Sequence, residues 1–210
     1  MSPPPAPWTL NGFAYVSLQL VDWDKAYAHV PSHLTLLSVL PGYTLGGIYL
    51  ASYGTGSTLP YSELIVIPGL VQLGNTVGAW ISHIYVDNPD SVAGGRQIWG
   101  LPKEMAEFDW QADRTRVTVQ QGDRLLCDLQ TDWHLSLWRQ PFVGNVFSQI
   151  HSTLMQFVGK ASFQPALTGA QVYIPPTAPF ANLGLDRPLV VVGCQDLDLW
   201  VEAPRRSPGS

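Results

Sequence analysis

Lysine is scarce in this chain: Lys25, Lys103 and Lys160 are the whole supply in 210 residues. Lys103 stands directly after the apolar run Ile98-Trp99-Gly100-Leu101-Pro102, so partial desolvation is expected there. Loss of water disfavours an ammonium and leaves free amine, which can attack a carbonyl carbon. Residues 87–107 (DNPDSVAGGRQIWGLPKEMAE) surround it with further chemistry-bearing types: Arg96, Gln97, Trp99 and Glu104. The alternative for Lys103 is a surface lysine paired with Glu104 or Glu107. Arg96 reads equally well as a substrate contact or as a guanidinium stapling a glycine-rich turn through backbone carbonyls. Trp99, four residues before Lys103, is the one to watch among eight tryptophans. Glu63, followed by Leu64, Ile65 and Val66, is either a pocket acid or an exposed residue at a strand start. Nothing in the spacing unites Glu63 and Glu104 as a glycosidase pair. Glycines 94, 95 and 100 suit tight turns and close backbone approach. They do not make a phosphate loop, because no Gly-Lys-Ser or Gly-Lys-Thr follows.

These side chains need a frame, and the sequence predicts one built mostly of strands. Nineteen glycines and eighteen prolines punctuate the chain at the rhythm of short strands and turns. Residues 13–21 alternate apolar and polar and read as a half-buried strand. Residues 24–30 read as a short helix capped by Asp24 and ended by Pro31. Strands are predicted at 44–53, 62–71 and 77–86, the last two apolar enough to be covered on both faces. Further strands are expected at 107–110, 114–120, 124–130 and 133–139, with a hairpin turn at 121–123. Val146, Ile150, Leu154 and Phe157 fall near helical spacing, which predicts an amphipathic helix over 145–158. Strands at 171–174, 189–193 and 196–202 close the chain, Asp196 and Asp198 on a solvent face. No internal repeat or long linker appears, so residues 1–210 are expected to form a single domain, with 1–6 and 205–210 disordered.

Composition narrows the function classes. Apolar residues make up 46% of the chain and charged residues only 13%, a low share that suits an oligomer or a large apolar cavity. Sixteen acids against eleven bases give a net charge of −5 with no basic run, which excludes a nucleic-acid footprint. The five histidines are scattered without metal-ligand spacing, so neither metal nor cofactor is expected. Cys127 and Cys194 each lie in an apolar strand-like run and are read as buried thiols, a disulfide remaining the alternative. No secretory signal and no membrane-length apolar stretch is visible. A cytoplasmic protein without a membrane span is expected.

The run GGRQIWGLPKE (residues 94–104), after a strand ending in Val86-Asp87-Asn88, resembles the signature of the acetoacetate decarboxylase superfamily. In that family, a known case of a lysine activated by a neighbouring cation, a lysine after proline forms a Schiff base with a β-keto acid. The resemblance extends to Pro7-Trp8, GYTLGG at 42–47, LASY at 50–53, SELIVIPG at 62–69 and VEAP at 201–204. These are similar to a short branch that includes the plant neoxanthin-deficiency proteins. The resemblance implies a mainly antiparallel, cone-shaped β-barrel with a few peripheral helices. It also implies that Lys103 is the Schiff-base lysine, that Arg96 matches the arginine of the family's Gly-Arg-Glu run, and that Glu63 matches a pocket glutamate. Departures accompany it. Gln97 stands where that run has glutamate, Glu104 where a second lysine would repel the first, Ile48 where a second pocket glutamate would lie, and Phe13 where an arginine would hold the substrate carboxylate.

Two functions from different classes follow. The first is a Schiff-base lyase on a keto acid or related carbonyl compound. Lys103 would be the nucleophile, Glu63 a proton-transfer group, and Glu104 or Gln97 a replacement polar contact. The second is a non-enzymatic binder of an apolar ligand, linked by the resemblance to carotenoid or xanthophyll metabolism. In either case a homo-oligomer is expected.

Overall fold

A computed structural model describes residues 3–207. The alternating run around residues 13–21 is the middle of β1 (Trp8–Asp22), from which the sheet extends both ways. On one side lie β3 (Tyr43–Tyr53), β4 (Tyr61–Ile67) and β7 (His83–Val86), all antiparallel, followed by β8 (Lys103–Met105), parallel to β7. On the other side lie β14 (Val190–Val201), β13 (Thr153–Tyr173) and β12 (Gln140–Ile150). Then come β6 (Thr76–Trp80), β5 (Leu70–Leu73) and β2 (Thr35–Leu36). Three more strands, β9 (Glu107–Trp110), β10 (Arg116–Gln121) and β11 (Arg124–Ser136), attach at the far end of β13, and β15 (Arg205–Arg206) pairs with its start. The hydrogen-bonded order begins at β2 and ends at β8 without returning on itself. The fold is therefore mainly β as expected, but backbone hydrogen bonds do not close it into a cone-shaped barrel. Its helices are short: α1 (Trp23–Tyr27), α2 (Pro89–Gly94), a single wide turn over Gly95–Trp99 and a tight 3-10 turn over Ala181–Leu183. None among the described residues is long and apolar enough to cross a membrane.

Strand alternation divides the interior. Leu50, Leu64 and Tyr85 pair across β3, β4 and β7 and face one apolar cluster with Val117, Leu126, Phe147 and Phe180. One residue along, Ala51, Glu63 and Val86 pair in the next row and face a second cluster with Trp8, Tyr61, Ile84, Trp99 and Phe157. Both faces of β4 are thus covered, which is why its sequence reads as an apolar run rather than an alternation.

Several expectations are corrected. Residues 145–158 form no helix; they are the adjoining ends of β12 and β13, turned at His151, whose φ is +54°. Val146 pairs with Phe157 and Gln149 with Leu154, so the apolar spacing of a helix face arises here from cross-strand partners. The strand read at 62–71 breaks at Pro68-Gly69 into β4 and β5, and that at 77–86 breaks at Ile81-Ser82 into β6 and β7. In α1 the cap is Asp22, which accepts from the Lys25 N–H, rather than Asp24. Of the terminal stretches expected to be disordered, Pro4 accepts from the Trp8 indole and Arg205 and Arg206 pair with Gln156 and Met155; residues 1–2 and 208–210 lie outside the described residues. The cysteines are two separate buried thiols. Asp198 is exposed as read, bonding Asn11 and Arg139.

Candidate functional site

Pro102 ends the turn after α2, and Lys103 opens β8 opposite Ile84 of β7. Alternation then sends the Lys103 side chain inward and that of Glu104 outward. Lys103 is 2% exposed, while Glu104 is exposed. The lysine stem lies across Gly95: a Cβ there would sit 2.5 Å from Cδ and 2.8 Å from Cε. Glycine leaves that space to the aliphatic chain, and a methyl there would force the stem or the turn to shift.

Four elements converge on the amine. Asn88 caps α2 by accepting from the Asp90 and Ser91 N–H groups, which fixes Ser91 on the first turn. The Ser91 hydroxyl then accepts from Lys103 Nζ at 2.9 Å. Tyr61 and Glu63, two apart on β4, share a face; Glu63 Oε2 lies 2.8 Å from Nζ and the Tyr61 hydroxyl 3.4 Å. Glu63 Oε1 accepts from the Tyr53 hydroxyl at 3.2 Å, and that hydroxyl lies 2.9 Å from the Tyr49 hydroxyl. Nζ also sits 4.7 Å from the Tyr61 ring centroid and 5.8 Å from that of Trp8. Desolvation by burial holds the Tyr53 and Tyr61 phenols well above their ordinary range, and Tyr49 shifts the same way for the same first reason. All three phenols therefore stay neutral and act as hydrogen-bond groups. The result is a buried ion pair, Lys103 with Glu63, inside a ring of neutral hydroxyls.

The structure brings together Lys103 and Glu63 of the residues singled out in the sequence. Arg96 is exposed, and its Nε donates to the Lys103 carbonyl oxygen at 2.7 Å, bracing the backbone rather than reaching the amine. Gln97 is exposed. Trp99 is buried in the apolar cluster, its indole N–H bonded to the Glu202 carbonyl at 2.8 Å and its ring 4.7 Å from Trp8. Glu104 accepts from the Gln121 amide at 2.8 Å, away from Nζ. Phe13 packs on Trp110 beneath the Arg114 guanidinium, and Ile48 belongs to the other apolar cluster. An open groove of about 590 Å³ beside β8 is lined by Arg96, Glu104, Met105, Glu107 and Gln121, but not by Lys103. Sequence reasoning missed Tyr49, Tyr53, Tyr61 and Ser91. The one signal was the four-residue spacing of Tyr49 and Tyr53, which places both on one face of a strand.

With this geometry in hand, comparison with known proteins adds a lineage. Residues 2–162 match the family described as acetoacetate decarboxylase. The chain is 38% identical over 102 residues to the tomato (Solanum lycopersicum) protein NEOXANTHIN-DEFICIENT 1, covering 49% of this chain and 34% of that protein. Its Arabidopsis thaliana counterpart is 35% identical over 125 residues, covering 60% and 43%. The chain thus matches less than half the length of these relatives. Among solved structures, the acetoacetate decarboxylase of Legionella pneumophila superposes with a TM-score of 0.80 at 16% identity, covering 99% of this chain and 89% of that one. The enduracididine biosynthesis enzyme MppR, complexed with pyruvate, gives 0.72 at 14%, covering 100% and 93%. At those identities the likeness is one of fold.

Proposed function

Because the chain belongs to the acetoacetate decarboxylase family, we propose that Lys103 is the nucleophilic amine of a Schiff-base centre acting on a carbonyl compound, with Glu63 as its proton-transfer group. The observation that carries this reading is the buried Lys103–Glu63 contact of 2.8 Å, in which a carboxylate is poised to take and return a proton. Nζ gives a proton to Glu63, its freed lone pair attacks the carbonyl carbon, and a second nitrogen proton passes to the resulting alkoxide to give the carbinolamine. The carbinolamine oxygen accepts a proton from the Glu63 acid and leaves as water, so an iminium and a carboxylate again face each other. Charge is conserved from ammonium to iminium, and no buried ion is left unpaired at either end. Tyr53 donates to Glu63 and holds it in place, while Tyr61, Ser91 and Gly95 fix where Nζ lies.

Reduction with borohydride in the presence of β-keto acids, pyruvate or short aldehydes tests this, read by intact and peptide mass. Conversion of Lys103 to a secondary amine is expected, with Lys103→Ala keeping only the adducts at the exposed Lys25 and Lys160. A folded protein that yields no adduct at Lys103 across the panel would sink the proposal.

A second reading is favoured by the plant relatives. Lys103 would then anchor a polar end of an apolar ligand related to carotenoids, without covalent chemistry. Retention of such a ligand through purification, together with inert Lys103, would select it.

A further inference from the structure

The chain has eleven lysines and arginines, all within the described residues. Ten of them are exposed: Lys25 and Lys160, and every arginine. Lys103 alone is buried. Arg96, the nearest in sequence, is turned outward by its bond to the Lys103 carbonyl. Arg114 lies over Phe13 in a groove shared with Arg139, Asp196 and Asp198. The half-buried histidines 29 and 83 pack against each other, with Phe180 behind, in the other apolar cluster. Around Nζ stand one carboxylate, neutral hydroxyls and the rings of Trp8 and Tyr61.

This inventory sets the charge a ligand can bring. Once Lys103 becomes an iminium, its single positive charge is matched by Glu63. A ligand carboxylate would then be a second anion in the same apolar cluster, with no cation left to pair with it. An unpaired buried charge is strongly disfavoured. Resting on the Schiff-base reading above, we infer that the carbonyl compound taken by Lys103 is a neutral aldehyde or ketone and not a keto acid. Its chemistry then runs through proton transfer at the carbon next to the iminium. Glu63 takes that proton, the C–H electron pair becomes the C=C bond of an enamine, and the C=N pair returns to nitrogen. Loss of carbon dioxide is not part of this sequence, since the substrate carries no carboxylate.

A matched pair of probes decides the point: butanal and 4-oxobutanoate, which present the same aldehyde with and without a carboxylate. Each is reduced onto the intact protein with cyanoborohydride, and the adducts at Lys103 and Lys25 are quantified from peptides of one digest. Exposed Lys25 reports the intrinsic reactivity of each aldehyde, so no variant is needed. The butanal to 4-oxobutanoate ratio at Lys103 is expected to exceed that at Lys25 by at least about tenfold, the penalty for an uncompensated buried charge. Equal ratios, or preference for 4-oxobutanoate at Lys103, would overturn the inference and leave Schiff-base chemistry standing. Adducts at Lys25 with none at Lys103 from either probe would overturn both.

Discussion

Lys103 Nζ and Glu63 Oε2 lie 2.8 Å apart across 40 residues of sequence, with side chains 3% and 6% exposed. Two charges removed from water to that degree depend on each other: the Coulombic gain offsets desolvation only while both are present. The single substitutions Glu63→Leu and Lys103→Met should each destabilise the fold by about 3–5 kcal/mol, because each leaves the other charge buried alone. The double variant should lose far less stability than the sum of the two single losses, because it leaves no charge unpaired. Chemical denaturation of all four proteins checks this, and strict additivity would show that the pair is not coupled.

Gly95→Ala tests the packing of the lysine stem. Its new methyl would sit 2.5 Å from Lys103 Cδ, so the amine must shift or the turn must yield. A loss of about 1–3 kcal/mol is expected from overpacking, with adduct formation at Lys103 slowed. Unchanged stability and unchanged trapping would mean that the stem lies elsewhere.

Glu104→Gln separates the two acids. Glu104 is exposed and bonds Gln121, so stability should change by no more than about 0.5 kcal/mol. Adduct formation at Lys103 should be unaltered. A large fall in trapping rate would return Glu104 to the site.

Alkali should unfold the protein in a definite direction. Burial pushes the Cys127 and Cys194 thiols up to about 12 from an ordinary 9.0, and Tyr85 up to about 12 from 10.0. In the folded state these groups keep protons that the unfolded chain releases, so stability is fully present below pH 9 and declines as pH rises towards 12. Urea midpoints at pH 7, 9 and 10.5 should fall in that order. A flat profile would contradict the burial of the thiols and the phenol.

Self-association is expected from the apolar side chains on β11 and β12 and the turn between them. Trp133 is 55% exposed, Leu135 58%, Trp138 77% and Phe142 58%, a concentration seldom left to water. Sedimentation should give a species larger than 23.0 kDa, and Trp138→Lys with Phe142→Lys should return it to that mass. A monomer in the unsubstituted protein would remove the expectation.

The sequence made the strand frame legible where a face alternates or an apolar run is cut by Pro-Gly, because burial and turn chemistry act locally. Lys103 was legible through scarcity and its apolar approach, and Glu63 through resemblance. The ring of hydroxyls was not. Tyr53 and Tyr61 meet because β3 and β4 pair in a register that sets them opposite each other. Ser91 joins them through the cap of a helix only six residues long. Register and helix placement are decided by the whole sheet, so no window of sequence contains them. The hairpin at 145–158 was misread for a related reason: its turn at His151 carries neither glycine nor proline, and a chain folded back on itself can imitate a helical stripe.

The burial of Lys103 also fixes a clock. An amine that is 2% exposed, with the Trp8 ring 5.8 Å away, meets no solute in the closed state. Encounter waits for local opening, whose frequency belongs to the protein and not to the reagent. Adduct formation should therefore level off as probe concentration rises, at the same ceiling for every small neutral carbonyl. That plateau would read directly how often this interior becomes a surface.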